Sequence, residues 1–293
     1  MHRADCSKCT AGLRAALQRR EMKQVVFATC RSRPAFQPGD LTVAAALESL
    51  GCTVAPAPWN GPFEAFAQAD LVVVRSTWDY FEEADAFFAW LHRLRDVGGV
   101  VCNSPELMLW NSNKKYLLDL AKQGAPLAPT RLSDPTARAL AMAMDDLALA
   151  EAVVKPVVGA GASGLTIVQR DNRDSLKRAA AELTCEGLVQ PLIPEICTFG
   201  ETSCIFFEGE FSHAVIKRPA SDSILVQAEH GGSTEAVKLR AEQLSTARSM
   251  LALLPQPATY ARVDMVFTDQ ASLLLEIEVI EPDLFVSHAR SAA

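Results

Sequence analysis

The sequence predicts a mixed fold in which a parallel α/β domain precedes an α+β region. Up to about residue 105, short runs rich in Val, Leu and Ile alternate with segments of helical spacing, as in a parallel sheet flanked by helices. Beyond "NKKYLLDLAKQGAP", strand-like runs follow one another between glycines and prolines, which indicates antiparallel pairing. The 293 residues allow about two domains with a sizeable core.

The first half of the chain reads as alternating strands and helices. "QVVFATC" predicts a strand, and "LTVAAALESLG" has helical spacing with a glycine stop. "CTVAPAPW" and "DLVVVRSTWDY" contain two further strands, and "VVCNSP" contains a fourth. "EEADAFFAWLHRLRDVGG" is an amphipathic helix that ends at two glycines.

The second half contains more strands than helices. "EAVVKPVV", "LTIVQR", "GLVQPLI", "TSCIFFEG" and "FSHAVIK" predict strands, with one helix near "NRDSLKRAAAEL". "STEAVKLRAEQLSTARSMLALL" predicts a long helix before the last two strands, "YARVDMVFTD" and "ASLLLEIEVI".

Composition narrows the classes of partner. A net charge of −7 excludes a broad electrostatic surface for nucleic acid or an anionic membrane, so an anionic small molecule needs a local basic pocket. No apolar run approaches the roughly 20 residues that span a bilayer, and the charged N-terminus lacks the apolar centre of a secretory signal. We therefore expect a cytoplasmic protein with reduced cysteines. Cys6 and Cys9 have CxxC spacing, but no second pair supports a zinc site.

The run "LLLEIEVIEPDLF" places carboxylates in an otherwise apolar strand. A buried, unpaired carboxylate costs several kcal/mol, and side chains two apart on a strand share a face, so Glu276 and Glu278 lie side by side. A divalent metal such as Mg²⁺ compensates both charges, because it prefers carboxylate oxygens. An edge strand with one solvated face is the alternative, and this stretch alone does not decide between them.

The run "VVKPVVGAGASGLTIV" matches the spacing GxGxxG at Gly159, Gly161 and Gly164. A dinucleotide fingerprint must open a helix, but "LTIVQR" reads as a strand, and a Walker A loop requires Lys and Ser or Thr after Gly164. We interpret the run as a glycine-rich hairpin whose backbone N–H groups close over phosphates, with Lys155 placed to reach them. An ordinary hairpin with a surface lysine is the open alternative.

The order of "NKKYLLDLAKQGAPLAPT", "VVKPVVGAGASG", "LVQPLIPEI", "ARVDMVF" and "LLLEIEVIEP" resembles that of the ATP-grasp ligases. The resemblance covers nearly all of the chain after Met22. It implies an N-terminal parallel α/β domain followed by two α+β subdomains that enclose ATP. We expect a flexible extension over 1–23, the substrate-side α/β domain over 24–108, the central subdomain with the glycine lid over 109–189, and the metal-bearing subdomain over 190–293.

The resemblance also implies ATP and Mg²⁺ as cofactors and assigns residues to them. The phosphates and nucleoside would contact Lys115 or its neighbour Lys114, Lys155, the lid residues Gly159, Gly161, Ser163 and Gly164, and Gln190, Leu192 and Glu195. Asp264, Glu276 and Glu278 resemble the magnesium ligands, although many relatives have Asn where this chain has Glu278. Arg262 resembles the transition-state cation. Independently, Arg262 and Asp264 alternate on "YARVDMVF" as the glutamates do on the next strand, so a hairpin would turn all four toward one cleft.

Two further segments are candidates for binding substrate. "RSTWDY" follows a strand, and open α/β sheets bind ligands at the C-terminal ends of their strands. Arg75 would pair with a substrate carboxylate and Asp79 with an amino group, near Ser76 and Thr77; a capped turn with a buried Trp78 is the alternative. "IKRP" offers Lys217 and Arg218 to an acyl phosphate, and "HGGS" offers His230, Gly231 and Gly232 to substrate.

Together with "EIEVIEP", the segments "RSTWDY" and "HGGS" resemble the ATP-grasp subgroup that contains the O-ureidoserine cyclo-ligase of D-cycloserine biosynthesis. The implied reaction activates a carboxylate of an amino-acid-like molecule as an acyl phosphate for attack by an amine. Ring closure within one substrate, ligation of two substrates, and a non-catalytic ATP-binding sensor are the alternatives. The hypothesis of a nicotinamide oxidoreductase is supported only by the GxGxxG spacing, and it requires a helix after Gly164. Nucleic acid and membrane are not expected partners, and self-association is expected as a homodimer or homotetramer.

Overall fold

The computed structural model describes residues 24–220, Val226 and 231–289. The expected extension over 1–23, with Cys6 and Cys9, and the candidate His230 lie outside the described residues. Within those residues, no helix combines the length and the apolar character needed to cross a membrane.

The N-terminal part is a parallel sheet of four strands in the order β2-β1-β3-β4. The strands are β1 (Gln24–Thr29), β2 (Thr53–Pro58), β3 (Leu71–Val74) and β4 (Val100–Cys102). β1 and β3 lie at the centre and are almost wholly apolar, as buried parallel strands require. The predicted parallel α/β arrangement is confirmed.

Helices cover this sheet and connect it to the rest of the chain. They are α1 (Pro38–Ser49), α2 (Glu64–Ala67), α3 (Ala84–Asp96), α4 (Pro105–Asn111) and α5 (Tyr116–Lys122). α3 buries Phe87, Trp90, Leu91 and Leu94, a spacing that aligns one face of a helix against the sheet. Pro105 begins α4, and the hydroxyl of the preceding serine accepts a hydrogen bond from the Leu107 amide, so the start of this helix is capped.

The central part is an antiparallel sheet of four strands in the order β5-β8-β6-β7. The strands are β5 (Arg131–Ser133), β6 (Glu151–Pro156), β7 (Thr166–Gln169) and β8 (Gly187–Gln190). Helices α6 (Ala137–Asp146) and α7 (Arg173–Glu182) cover one face, against Ala152 and Val154 of β6. The opposite face carries the alternate residues of β6 and remains partly open.

The C-terminal part is an antiparallel sheet of five strands in the order β11-β10-β9-β12-β13. It contains β9 (Glu201–Phe207), β10 (Glu210–Arg218), β11 (Ser233–Val237), β12 (Tyr260–Phe267) and β13 (Ser272–Glu278), with α8 (Glu195–Phe199) before it and α9 (Ala241–Leu251) inserted. The prediction of one long helix from residue 233 was wrong, because Ser233–Val237 pairs with β10. Pairing with a neighbouring strand overrides the helix propensity of Ala and Glu there.

A buried junction joins the parallel sheet to the five-stranded sheet. The Tyr260 hydroxyl lies within hydrogen-bonding distance of three carbonyl oxygens, those of Val74 (2.6 Å), Cys102 (3.1 Å) and Ile280 (3.1 Å). Asn103 donates from Nδ2 to the carbonyls of Tyr260 (2.9 Å) and Val279 (2.7 Å). We call this group of contacts the Tyr260 junction.

Candidate active site

One face of the five-stranded sheet carries polar side chains, which we call the polar row. Residues two apart on a strand share a face, so Val263 and Ile277 point into the apolar core while their neighbours point into the cleft. The members of the row are Lys217, Glu201, Ser203, Arg262, Asp264, Glu276 and Glu278. The structure therefore brings Arg262, Asp264 and the two glutamates together, on paired strands in which Arg262 faces Glu278 and Asp264 faces Glu276.

Asp264 is fully occupied by protein partners. Its Oδ1 accepts hydrogen bonds from Ser203 Oγ (2.6 Å) and Arg262 Nε (3.0 Å), and its Oδ2 accepts one from Arg262 Nη2 (2.8 Å). Lys217 Nζ lies 3.9 Å from Oδ2. Burial alone would raise the pKa of Asp264, but the charges of Arg262 and Lys217 hold this pKa at about 2. Asp264 is thus ionised and fixes the guanidinium of Arg262.

The two glutamates are less completely paired. Glu276 Oε1 accepts from Lys114 Nζ at 2.6 Å, and Glu278 Oε1 accepts from Arg262 Nη2. Within the described residues, the second carboxylate oxygen of each glutamate has no hydrogen-bond partner, and both side chains are about a quarter exposed. Burial, together with the nearby charges of Asp264 and Glu276, raises the pKa of Glu278 to about 7 despite Arg262. The site therefore has an excess of negative charge at this end.

This arrangement fits a divalent cation held by two carboxylates. No cluster of three or more acidic, His or Cys side chains capable of holding a metal exists among residues 24–220 and 231–289. Glu276 and Glu278 each keep one oxygen available, whereas both oxygens of Asp264 are engaged. Mg²⁺ commonly takes one or two carboxylates and completes its shell with water and phosphate oxygens. With only two carboxylate oxygens available, the site is suited to bind Mg²⁺ together with a polyphosphate. It is less suited to bind Mg²⁺ by itself.

Three predicted lysines differ sharply in their surroundings. Lys114 points into the cleft, where Nζ donates to Glu276 and to the Gly159 carbonyl (2.8 Å). Burial would lower the pKa of Lys114, but the charge of Glu276 raises it. Lys115, the next residue in the turn before α5, instead pairs with Glu186 at the partly exposed rim. Of the neighbouring pair that the sequence left open, Lys114 is the one that the structure brings to the polar row.

Lys155 is a half-buried cation without a close anion. Its ammonium forms no hydrogen bond or ion pair with the residues that the structure describes. Burial lowers the pKa of Lys155, and the charge of Glu276 offsets this only in part. A desolvated ammonium is unfavourable without an anionic partner, so this position is suited to a bound anion.

The predicted glycine hairpin connects β6 and β7, and a strand follows Gly164 where a dinucleotide fingerprint would require a helix. Gly161 and Gly164 adopt left-handed φ angles of 59° and 72°. A Cβ at Gly159 or Gly164 would lie 3.1–3.2 Å from the Pro156 ring, so both positions are tightly packed. Ser163 lies exposed near the tip. The Gly159 carbonyl binds Lys114, which ties the hairpin to the polar row.

The open face of the four-stranded sheet lies next to the hairpin. Val153 pairs with Ile167 on one side and with Gln190 on the other, so these side chains share the face that also carries Lys155. Ile167 is 39 % exposed, which leaves apolar surface available for a ligand. The sequence analysis missed Val153 and Ile167, although alternation along "EAVVKP" contains the signal.

The remaining nucleoside candidates lie at the end of this sheet. Gln190 donates from Nε2 to Thr130 Oγ1 at 2.8 Å. Leu192 lies in the segment after β8, and Glu195 begins α8, both half-buried. This segment links the two antiparallel sheets, as expected for a hinge.

At the other end of the cleft, two of the predicted substrate residues are engaged within the protein. Arg75 Nε donates to Asp40 Oδ1 (2.7 Å), and Asp79 Oδ1 accepts from the Trp59 indole (2.7 Å). The hydroxyls of Ser76 and Thr77 are buried and have no hydrogen-bond partner in the described structure. Contact of all four with substrate stays a prediction, but Arg75 is not free to pair with a carboxylate unless Asp40 releases it.

The predicted catalytic residues Lys217 and Arg218 lie on opposite faces of β10. Lys217 is buried and pairs with Glu201, whereas Arg218, the next residue, points to the opposite face and pairs with exposed Glu235. The structure thus does not bring Arg218 into the polar row. Gly232 is half-buried, and Gly231 lies exposed with a left-handed φ of 81°. The sequence analysis missed Glu201 and Ser203, which alternate along "ETSCIFF" just as the recognised residues do along β12 and β13.

Two antiparallel sheets that face a cleft, a glycine hairpin next to half-buried lysines and a row of carboxylates behind a parallel α/β domain together define an ATP-grasp ligase. Solved structures agree. The crystal structure of D-cycloserine synthetase DcsG has a TM-score of 0.78 at 25 % identity, covering 90 % of this chain and 94 % of that one. D-alanine–D-alanine ligase from Bacillus anthracis complexed with ATP has a TM-score of 0.66 at 16 % identity, covering 92 % and 91 %.

Sequence comparison narrows this class to one family. The family model of the N-terminal domain of D-cycloserine synthetase DcsG matches residues 25–103. The cycloserine biosynthesis protein DcsG of Streptomyces lavendulae is 30 % identical over 266 residues, which span 85 % of this chain and 88 % of that protein. The chain belongs to the DcsG family of ATP-grasp ligases. It is an ATP-dependent ligase that forms amide bonds.

Proposed function

We propose that this ligase uses Mg²⁺-ATP to activate the carboxylate of an amino-acid-like molecule, and that an amine of the same molecule then closes a ring. A carboxylate oxygen attacks the γ-phosphorus, the bond to ADP breaks, and the amine displaces phosphate from the acyl carbon with loss of a proton. The similarity to DcsG, which is named for cycloserine, favours ring closure as in the conversion of O-ureidoserine to cycloserine, in which the ureido nitrogen attacks and water then releases its carbamoyl group as carbon dioxide and ammonia. Joining two substrates is the alternative outcome.

The polar row is the observation that carries the proposal. Arg262 is held by Asp264 and Glu278 with its guanidinium in the cleft, and Lys217 is held by Glu201 beside it. Fixed cations of this kind stabilise charge that develops on a transferring phosphoryl group without the cost of reorganisation. Lys114 and Lys155 extend the positive charge toward the glycine hairpin, where the phosphates of ATP would bind.

Glu276 and Glu278 would hold magnesium through their free oxygens. Bound there, Mg²⁺ would supply electrostatic stabilisation to the phosphate oxygens as their charge redistributes. The adenine would lie on the open face of the four-stranded sheet, against Val153 and Ile167. The hairpin over this face would exclude water, which otherwise hydrolyses an acyl phosphate. The substrate is a small molecule, and we place the enzyme in the cytoplasm, where ATP is available.

The test is ADP release by the purified chain with Mg²⁺ across amino acids and O-ureidoserine, followed by mass analysis of the product. A product that comes from one substrate molecule supports ring closure: it is lighter by one water or, for O-ureidoserine, by carbon dioxide and ammonia, because the carbamoyl group is then released as well. A product that joins two substrates supports intermolecular ligation. Lys217→Met should abolish release in both cases, and the exposed Lys122→Met is the matched control. Tight ATP binding without release on any substrate would refute the proposal.

A further inference from the structure

We infer that the turn after β1 forms a recognition site for an anionic group of the substrate that does not react, with Arg33 stacked on Trp78 as its cation. The inference deepens the proposed function. It rests on one part of that proposal, namely that the substrate is a small carboxylic acid. It names the class of substrate as one with a second, remote anionic group, such as a dicarboxylic amino acid, in place of the neutral ureido group of O-ureidoserine.

The first observation is that Arg33 is held in place but has no anion. The turn over residues 30–33 is closed by a hydrogen bond from the Arg33 amide to the Cys30 carbonyl (3.1 Å). The Arg33 guanidinium carbon lies 5.0 Å from the centre of the Trp78 ring, and the side chain is exposed. No carboxylate of the described residues forms an ion pair with Arg33. Stacking on an aromatic face leaves the N–H donors of a guanidinium free for a carboxylate.

The second observation is the position of this arginine in the fold. The turn follows β1 and the loop with Trp78 follows β3, so both lie at the C-terminal edge of the parallel sheet, where such sheets bind ligands. Trp78 donates from Nε1 to the Glu281 carbonyl (3.1 Å), just beyond the strand that carries the metal candidates. Arg33 therefore lies at the substrate side but is separated from the polar row by Trp78, which suits a remote group and not the carboxylate that is activated.

The third observation is that the nearby alternatives are occupied. Arg75 is buried against Asp40, and Arg31 donates from Nη2 to the Asn60 carbonyl (2.8 Å). The hydroxyls of Ser76 and Thr77, next to Trp78 in the chain, are fully buried without a hydrogen-bond partner among the described groups. Buried hydroxyls are normally paired, so two unpaired ones in the segment that carries Trp78 point to a polar ligand at this edge of the sheet. In a chain of net charge −7, this turn is a local basic site of the kind an anionic substrate needs.

The experiment compares dicarboxylic amino acids, from aspartate to 2-aminopimelate in both enantiomers, with their side-chain amides. ADP release is measured for the full chain, for Arg33→Gln and Arg33→Lys, and for Arg31→Gln as the matched control. We expect at least one acid to have a KM about tenfold or more below that of its amide. Arg33→Gln should remove this difference with kcat and the KM for ATP unchanged, Arg33→Lys should restore part of it, and Arg31→Gln should leave it intact.

Two results would overturn the inference: amides that are used as well as the acids, or an Arg33→Gln variant that affects acid and amide alike. Calorimetric binding of the same probes with a non-hydrolysable ATP analogue separates this inference from the proposed function. Acids that bind more tightly than amides, in an Arg33-dependent way but without ADP release, would support the site and count against the ligase reaction. If no acid binds in preference to its amide, the inference is overturned.

Discussion

Replacing Glu276 by Gln tests the central feature of the site, because it removes one charge and almost no volume. In the wild-type protein, Glu276 pairs with Lys114 at 2.6 Å and is about a quarter exposed. Gln retains an oxygen that can accept from the ammonium, but it loses the ionic attraction. Exposed ion pairs contribute about 0.2–1 kcal/mol, and breaking buried pairs costs about 3–5 kcal/mol. The intermediate exposure of this pair gives a loss of about 1–2 kcal/mol in the free energy of unfolding.

The same change should affect catalysis much more strongly. The change removes a negative charge that attracts Mg²⁺ and leaves Glu278 as the one carboxylate of the row with a free oxygen, so we expect turnover to fall about 100-fold or more. The protein should remain folded, since domains are stable by about 5–15 kcal/mol. Urea unfolding followed by tryptophan fluorescence measures the first quantity, and ADP release measures the second. Glu235→Gln is the control, because Glu235 forms an exposed pair with Arg218 on the same sheet and should change neither. Retained turnover, or a variant that unfolds in buffer, would refute the reasoning.

Three further predictions follow from single contacts. Lys114→Ala should raise the KM for ATP about tenfold or more, whereas Lys115→Ala should change it by less than about threefold, because only the first ammonium lies in the cleft; steady-state kinetics with the two variants measure this. Tyr260→Phe should lower the free energy of unfolding by about 1–3 kcal/mol, measured in urea, because it removes the one hydroxyl proton that the buried Val74 carbonyl, the nearest of the three at 2.6 Å, accepts. Burial and the charge of Glu278 raise the pKa of Glu281 to about 8, above its ordinary 4.5, so the folded state binds a proton that the unfolded state releases. Without added Mg²⁺, stability should therefore fall as pH rises from about 5 to 8, by up to about 1.4 kcal/mol per pH unit, and Glu281→Gln should flatten this dependence in urea titrations.

The sequence predicted the elements whose pattern is local and periodic. Alternation with period two identified which residues of β12 and β13 face the cleft, and the pairing of Arg262 with Glu278 confirms that arrangement. The glycine run was recognised as a hairpin because the residues after Gly164 have strand propensity. These features depend on a few neighbouring residues, so a single sequence contains enough information to predict them.

Contacts between segments that are distant in the chain could not be predicted from local sequence patterns. Arg75 reads as a free cation at the end of a strand, but Asp40, 35 residues earlier, accepts a hydrogen bond from it. The choice between Lys114 and Lys115 depends on how the turn before α5 packs against the polar row. The strand β11 depends on β10 for its pairing, and its own residues favour a helix. In each case, tertiary packing decides the outcome.

The Tyr260 junction has a consequence for how this enzyme opens. Because the Tyr260 hydroxyl packs among carbonyls from three segments and Asn103 donates to two more, the parallel sheet and the five-stranded sheet are expected to move as a single rigid body. The chain is anchored to β13 again at Leu127, which bridges Leu274, and it leaves the four-stranded sheet after Gln190. Only the four-stranded sheet and its helices, between these two points, are then free to rotate toward the rest of the protein. The distance between the carboxylates of β12 and β13 and the C-terminal edge of the parallel sheet would then stay constant during catalysis. Entry of the nucleotide would require movement of the four-stranded sheet alone.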